Sequence, residues 1–218
     1  NFFKFLVLFL INRLVPESER DTYISLVLAA FSLPFLLFAM TGGYMADRYR
    51  KSRVVLGTKV MEVVVMMLGT WGLWLQSLPV LFGVVFLMSV QSAFFGPSKY
   101  GLLPELLPES RLSWGNGLFG LGTFSAIIAG GIVAGLLSEK LPVDEVWLAG
   151  VGLVVLALAG MIGSGFLPGG TQANPGKRYH VNFLGEVWTN LKTVRKDRVL
   201  LFAVIGSVYF WFIGALFG

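Results

Sequence analysis

The stretch GGYMADRYRKSR, residues 42–53, joins two apolar runs that cover 22–46 and 54–75. Its cations all lie in its second half and are Arg48, Arg50, Lys51 and Arg53. An apolar run of about 20 residues is long enough to cross a bilayer as a helix. Short loops rich in Lys and Arg stay on the cytoplasmic side of a membrane. The stretch therefore predicts a cytoplasmic turn between two transmembrane helices.

The whole chain has the composition that this turn implies. Of its 218 residues, 56% are hydrophobic and only 13% are charged, whereas soluble domains carry about 25% charged residues. Further runs extend the pattern along the chain, and the full set covers 1–15, 22–46, 54–75, 80–103, 112–137 and 145–167, with a seventh run beginning at 199. We therefore predict an all-α membrane protein.

The runs and their connectors predict three parts. Residues 1–167 form an N-terminal bundle of six transmembrane helices, the first of them truncated. Residues 168–198 form a basic cytoplasmic connector, and 199–218 begin a seventh transmembrane helix. Both ends of the sequence lie inside apolar runs, so we expect it to belong to a longer protein.

The connector contains NFLGEVWTNLKTVRKDR, residues 182–198, which has apolar and charged residues on opposite helical faces. This pattern predicts an amphipathic helix along the cytoplasmic membrane surface, either as a plain linker or with a regulatory role.

The net charge of +5 follows from this topology, because most of the cations fall in cytoplasmic loops. It therefore does not indicate nucleic-acid binding. The chain has no cysteine, which excludes disulfides and thiolate metal sites. The stretch GGTQANPGKR, 169–178, lacks the residues that a phosphate-binding loop requires, and we interpret the single histidine, His180, as a solvated loop residue. No cofactor or metal is predicted.

Three residues around the first cytoplasmic turn are candidates for a conformational or gating role. Gly43 is expected to let a neighbouring helix approach closely, Asp47 to complement the positive N-terminus of a facing helix, and Arg48 to hold the turn at the cytoplasmic surface. The turn resembles the motif of the major facilitator superfamily, which reads Gly, three residues, Asp-Arg, one residue, Gly and two basic residues. This sequence departs from the motif at Arg50 and Ser52. An ordinary basic loop is the alternative interpretation.

The fifth run contains Gly131 and Gly135, which are four residues apart and therefore on one helical face. Small residues at this spacing allow transmembrane helices to pack closely, and this interpretation is favoured over a role in substrate binding.

Four charged residues lie inside the apolar runs: Lys4, Lys59, Glu62 and Lys99. Ionisable groups inside a membrane are costly and indicate function. Lys59 and Glu62 are three residues apart, so they can pair on one helix face, either as a purely structural pair or as part of a gate. Lys99 can extend to the cytoplasmic surface, or it can turn inward where Pro97 weakens the helix.

Two stretches resemble the bacterial lysophospholipid transporters of the major facilitator superfamily. NFFKFLVLFLI, 1–11, is similar to their first span, which begins Asp-Asn. GPSKYGLLPELLPESRLSWGNGLFGLGTFSAIIAGG, 96–131, is similar to their fourth and fifth spans. The resemblance implies the major facilitator fold, a multi-pass protein of the bacterial inner membrane, and inward movement of lysophospholipids for re-acylation. It also implies that Asn1 and Lys99 face the headgroup. Lys4 shares a helix face with Asn1, so we expect it to contribute to substrate binding from a similar depth.

Other functions remain open at this point. One alternative is a facilitator-type exporter of drugs or amphipathic anions. Another is the membrane portion of a fused acyltransferase, because some members of the resembled family carry such a domain. The partners expected from the resemblance are the lysophospholipid substrate, the surrounding membrane lipids and a fused or associated acyltransferase. This stretch of chain is not expected to be an enzyme itself.

Overall fold

The computed structural model of the protein describes residues 2–168, 172, 174–176 and 183–217. The described residues form eight α-helices and no strand: α1 Phe2–Leu14, α2 Arg20–Arg48, α3 Lys51–Trp74, α4 Leu78–Leu106, α5 Leu112–Lys140, α6 Trp147–Gly165, α7 Phe183–Lys196 and α8 Arg198–Phe217. Helices α1 to α6 belong to a compact unit, Asn1–Lys177, and α7 and α8 to a second unit, Arg178–Gly218.

Helices α2 to α6 are long and apolar enough to cross a membrane. Each helix coincides with one of the apolar runs, so the prediction of an all-α membrane protein is confirmed. Helix α1 is shorter, with 13 residues. The division into a six-helix bundle (1–167), a connector (168–198) and a seventh span (199–218) stays a prediction.

Proline decides where two of these helices end. Helix α4 ends before Leu107 and α5 before Leu141, and both of these residues are extended, with ψ of 142° and 135°. Each stands directly before a proline. A proline disfavours helical backbone in the residue before it, because its ring crowds that residue. These two helices therefore stop directly before a Leu-Pro pair, although α4 continues through the earlier pair Leu103–Pro104.

The core of the first unit includes one face of α1. One face of this helix is almost completely buried and consists of Phe3, Leu6, Val7, Leu10 and Ile11. These side chains belong to one apolar cluster with buried residues of α3 and α4, among them Val65 and Leu81. Helix α1 therefore supplies one side of this core, and it packs mainly against α5.

The helix pairs follow in part a repeat that the sequence does not reveal. The main packing pairs are α2 with α4, α3 with α6, α3 with α4 and α1 with α5. Exchanging α1, α2 and α3 for α4, α5 and α6 carries the α2–α4 pair onto the α5–α1 pair and leaves the α3–α6 pair unchanged. The α3–α4 pair has no such counterpart, because α6 and α1 are not among these main packing pairs. The pairing therefore agrees only in part with two related three-helix repeats.

The α2–α4 pair crosses at Gly42. A β-carbon on Gly42 would overlap the backbone carbonyl oxygen of Ala93 in α4. A β-carbon on Gly43 would meet no described atom within 4 Å. Adjacent residues point about 100° apart around a helix, so Gly43 does not face α4, and a close approach of another helix at Gly43 stays a prediction. The glycine that faces α4 is Gly42.

Gly131 and Gly135 of α5 face α1. Their β-carbon positions lie 3.6 Å from the ring of Phe5 and 3.6 Å from the ring of Phe9, respectively. The prediction that this glycine face packs against a neighbouring helix is confirmed.

We expect Gly42→Ala to lower the stability of the full-length protein, because the added methyl group has to push α2 away from the backbone of α4. Overpacking of this kind costs about 1–3 kcal/mol. The measurement is the apparent unfolding temperature in a neutral detergent. Gly43→Ala is the matched control and should leave that temperature unchanged. Equal effects of the two substitutions would contradict the assignment of the crossing to Gly42.

Candidate functional site

A cavity of about 500 Å³ opens between α3, α4 and α5. Its lining is polar along α3 and most of α4, and mainly apolar along α5. The polar residues that line it are Lys59, Glu62, Gln91, Ser92, Lys99 and Thr123, and the larger apolar ones are Phe95, Leu118, Phe119 and Ile127. It therefore brings together three of the four charges that the sequence places inside apolar runs.

Lys99 connects the α4 wall of this cavity to α5. Its Nζ donates a hydrogen bond of 2.8 Å to Oγ1 of Thr123, which in turn donates to the carbonyl oxygen of Phe119 at 2.6 Å. The same ammonium group lies 5.2 Å from the ring centres of both Tyr100 and Phe119, within the range of a cation–π interaction. Lys99 is thus turned inward, and its hydrogen-bond partner is a neutral hydroxyl group.

Lys59 and Glu62 form an ion pair on the α3 wall. Lys59 Nζ and Glu62 Oε2 are 2.6 Å apart, so the pairing predicted from their spacing is confirmed. Gln91 of α4 donates to the backbone oxygen of Thr58 at 3.3 Å and to Glu62 Oε2 at 3.5 Å. Lys59 also lies 4.9 Å from the ring centre of Phe95. The pair is therefore held by contacts from two helices.

The charges of the cavity do not balance. Two ammonium groups, on Lys59 and Lys99, face one carboxylate, on Glu62. Because Glu62 is bound to Lys59, the surplus positive charge is located on Lys99. A cation with a neutral partner in apolar surroundings attracts an anionic group more strongly than it does in water. The cavity can therefore bind an anion that carries an apolar portion.

The remaining candidates lie elsewhere. Lys4 of α1 does not line the cavity; its Nζ lies 5.0 and 4.4 Å from the ring centres of Phe5 and Phe31. Gly43, Asp47 and Arg48 lie in the last turns of α2, and the carbonyl oxygen of Asp47 accepts a hydrogen bond of 2.9 Å from the amide of Asn174. Asn1 and His180 are outside the described residues.

Sequence reasoning missed a second ion pair, at the end of the bundle where α2 ends and α3 begins. We call this the basic end; its cations are Arg48, Arg50, Lys51 and Arg53. Lys51 Nζ and Glu105 Oε1 are 2.5 Å apart, with side chains only 10% and 18% exposed. The stem of Lys51 reaches Glu105 by passing over Gly101, whose β-carbon position is 2.8 Å from Lys51 Cε. The pair joins the start of α3 to the end of α4.

The signal for this pair was weak. Lys51 is one of several cations in a loop, and the positive-inside rule already explained it. The apolar run of the fourth span ends at 103 and the next begins at 112, so the sequence alone places Glu105 in the connector between them. The structure continues α4 to Leu106, so Glu105 is a helical residue that faces α3.

Comparisons with known proteins agree on a family. The model of the Major Facilitator Superfamily matches residues 2–218. The lysophospholipid transporter LplT of Cronobacter sakazakii is 29% identical over 192 residues, which are 83% of this chain and 43% of that protein. The lysophospholipid transporter LplT of Salmonella enteritidis is 28% identical over 181 residues, 81% of this chain and 42% of that protein. The chain spans less than half the length of these relatives. The search of solved structures finds no match.

We expect Lys51→Met to destabilise the protein, because it leaves the Glu105 carboxylate buried without a cation. Breaking one partner of a buried pair costs about 3–5 kcal/mol, whereas replacing both partners by apolar residues is often neutral. The double substitution Lys51→Met with Glu105→Leu should therefore recover most of the loss in apparent unfolding temperature. Arg111→Met, at an exposed arginine, is the control. A double variant as unstable as Lys51→Met would contradict the coupling.

Proposed function

Because this chain belongs to the Major Facilitator Superfamily, we propose that the full-length protein is an alternating-access transporter that moves lysophospholipids across the bacterial inner membrane for re-acylation. The observation that carries this proposal is the cavity with one surplus positive charge, on Lys99, beside an apolar wall. A lysophospholipid has the complementary chemistry, since it joins a phosphate to a single acyl chain. The names of the curated relatives support the same substrate class.

In this proposal Lys99 binds the phosphate of the headgroup. Moving a phosphate into an apolar region without a partner is costly, and a charge-assisted hydrogen bond offsets that cost. Lys99 Nζ has three donors, and its contact with Thr123 uses one of them. The remaining donors are available to an anion, and the hydroxyl group of Thr123 keeps the ammonium group directed into the cavity. The rings of Phe95 and Phe119 and the side chain of Ile127 provide the apolar surface for the acyl chain.

Lys59 and Glu62 have a different role in this proposal. Glu62 neutralises the charge of Lys59, so the desolvation free energy of this ammonium group is lower than it would be without a partner. The cavity therefore contains a second cation besides Lys99. A phosphate that enters beside Lys99 competes with Glu62 for Lys59. Binding of the substrate would therefore weaken the contact between Lys59 and Glu62, and such a change is what a gating role requires.

Further candidates complete the proposal. Asn1 and Lys4 are proposed as headgroup contacts from the first helix. Gly43, Asp47 and Arg48 are proposed to act in the conformational change at the basic end.

An acyltransferase, fused or associated, would consume the transported lipid. Uptake assays distinguish this function from export of drugs or amphipathic anions, which would move substrate outward.

We expect Lys99→Ala in the full-length protein to reduce uptake of lysophospholipids by at least about thirtyfold, which corresponds to the loss of roughly 2 kcal/mol from one desolvated charge pair. The loss should be equal for different headgroups, because all of them carry the phosphate. Lys99→Arg should retain part of the activity, since the charge remains although the shape differs. The measurement is uptake of labelled lysophospholipid into spheroplasts, normalised to the protein in the membrane.

Lys140→Ala is the control for this experiment, because Lys140 is an exposed lysine at the end of α5, away from the cavity. It should transport normally. Near-normal uptake by Lys99→Ala would rule out the phosphate contact. Uptake by the unmodified protein that is no higher than in cells lacking it would rule out the proposed function.

We expect Asp47→Asn to slow transport while leaving equilibrium binding of lysophospholipid largely intact. Asp47 lies in the last turn of α2 and does not line the cavity, so the substitution acts on the conformational change and not on a substrate contact. The two quantities to compare are the initial uptake rate and the dissociation constant of the purified protein. A loss of binding as large as the loss of transport would contradict this role.

A further inference from the structure

A second cavity, also of about 500 Å³, lies at the basic end. It is formed by the end of α2, the first turns of α3, Phe94 of α4 and Gln172, which follows α6 in the chain. We call it the basic groove. None of its lining residues lines the cavity that contains Lys99. The basic groove is therefore a separate site, and the proposed function does not use it.

The mouth of the basic groove carries two exposed arginines, Arg50 and Arg53. Among the residues that the structure describes, no carboxylate forms an ion pair with either of them. Their neighbour Lys51 points the other way, into the bundle, where it is paired with Glu105. The two guanidinium groups thus form a local positive charge that the described protein does not neutralise.

The backbone adds to this charge. Arg50 is the N-terminal capping residue of α3, and its own side chain makes no capping hydrogen bond. The amide of Arg53 donates to the carbonyl oxygen of Arg50 at 2.9 Å, so the amides of Lys51 and Ser52 are the ones at the open end of the helix. The N-terminus of a helix attracts anions, phosphates in particular, through these amides and the helix dipole. The mouth of the groove therefore combines two cations with a helix N-terminus.

The interior of the basic groove is apolar. Its walls are formed mainly by Met45, Val54, Met61 and Phe94. Gly57 leaves space between them, since a β-carbon there would meet no described atom within 4 Å. The outer surface of α3 next to the groove is also apolar and exposed at Leu56 and Val60. An occupant must therefore present an anionic group at the mouth and hydrocarbon below it.

We propose that the basic groove binds an anionic diacyl phospholipid of the cytoplasmic leaflet as a resident lipid. On the orientation predicted from the basic loops, Arg50 and Arg53 lie at the level of the cytoplasmic headgroups. Basic pockets between transmembrane helices on this side of a membrane suit anionic headgroups. The phosphodiester contacts the two arginines, and one acyl chain lies along Met45, Met61 and Phe94. Such a lipid contacts both the end of α2 and the start of α3. It therefore stabilises the last helical turn of α2, which contains Asp47.

The test measures binding of fluorescent phosphatidylglycerol to the full-length protein in neutral detergent micelles. The double substitution Arg50→Gln with Arg53→Gln should weaken binding by about tenfold or more, as expected from the loss of two cations near the headgroup. Arg111→Gln removes an exposed arginine outside the groove and is the matched control. Unchanged binding in the double variant, or an equal loss in the control, would overturn the proposal.

A second substitution tests the groove without changing its charge. Gly57→Leu fills the apolar space and should also weaken binding about tenfold. Gly83→Leu, at another exposed helical glycine with no described atom within 4 Å of its β-carbon position, should have no effect. Each variant is first checked for a single peak in size-exclusion chromatography, so that misfolding is not read as lost binding. Normal binding by a correctly folded Gly57→Leu would overturn the placement of the acyl chain.

Competition identifies the ligand class. Unlabelled phosphatidylglycerol should displace the probe, whereas phosphatidylcholine should do so at least about tenfold more weakly, because its headgroup has no net charge. Displacement by glycerol phosphate at the same concentration as the lipid would show a site for soluble phosphate and would overturn the lipid assignment.

Discussion

The pairing of α2 with α4 depends on a contact between two backbones, in which Gly42 lies against the carbonyl group of Ala93. Ala93 stands four residues before Pro97 in α4, and a proline has no N–H to donate to the carbonyl four residues earlier. A carbonyl that lacks its helical donor is costly in a membrane. A Cα–H bond of Gly42 points at this oxygen, in the direction where a side chain would be, and such contacts are weakly favourable. The proline in the fourth span is therefore matched by a glycine in the second.

Local patterns explain what the sequence could predict. The helices follow from apolar runs that end near charges or Leu-Pro pairs, and the Lys59–Glu62 pair follows from a spacing of three residues on one helix. The contacts that were missed join distant parts of the chain. Lys51 and Glu105 are 54 residues apart, and no periodicity connects them. The choice between Gly42 and Gly43 depends on how α2 is rotated against α4, which the run of apolar residues around both glycines does not determine.

The two ion pairs show how the bundle stabilises charged side chains in apolar surroundings. Each pairs a lysine of α3 with a carboxylate close in space, and each has side chains that are less than a third exposed. Lys99 differs, because its hydrogen-bond partner is the hydroxyl group of Thr123 and its other contacts are aromatic rings. Cation–π contacts and one neutral hydrogen bond offset less of the desolvation cost than a carboxylate does. Lys99 is therefore the charge in this cavity that gains most from an anionic ligand.

Helix α4 contributes to every one of these features. It carries Gln91 beside the Lys59–Glu62 pair, the Ala93 carbonyl at the crossing with α2, Lys99 in the cavity and Glu105 at the basic end. These positions lie on one helix, Leu78–Leu106, with Pro97 between Ala93 and Lys99. A ligand that draws Lys99 away from Thr123 removes a link between α4 and α5, while the Gly42 crossing and the Lys51–Glu105 pair still hold α4 to α2 and α3. The Lys99–Thr123 hydrogen bond is therefore a link between α4 and α5 that a ligand in the cavity meets directly.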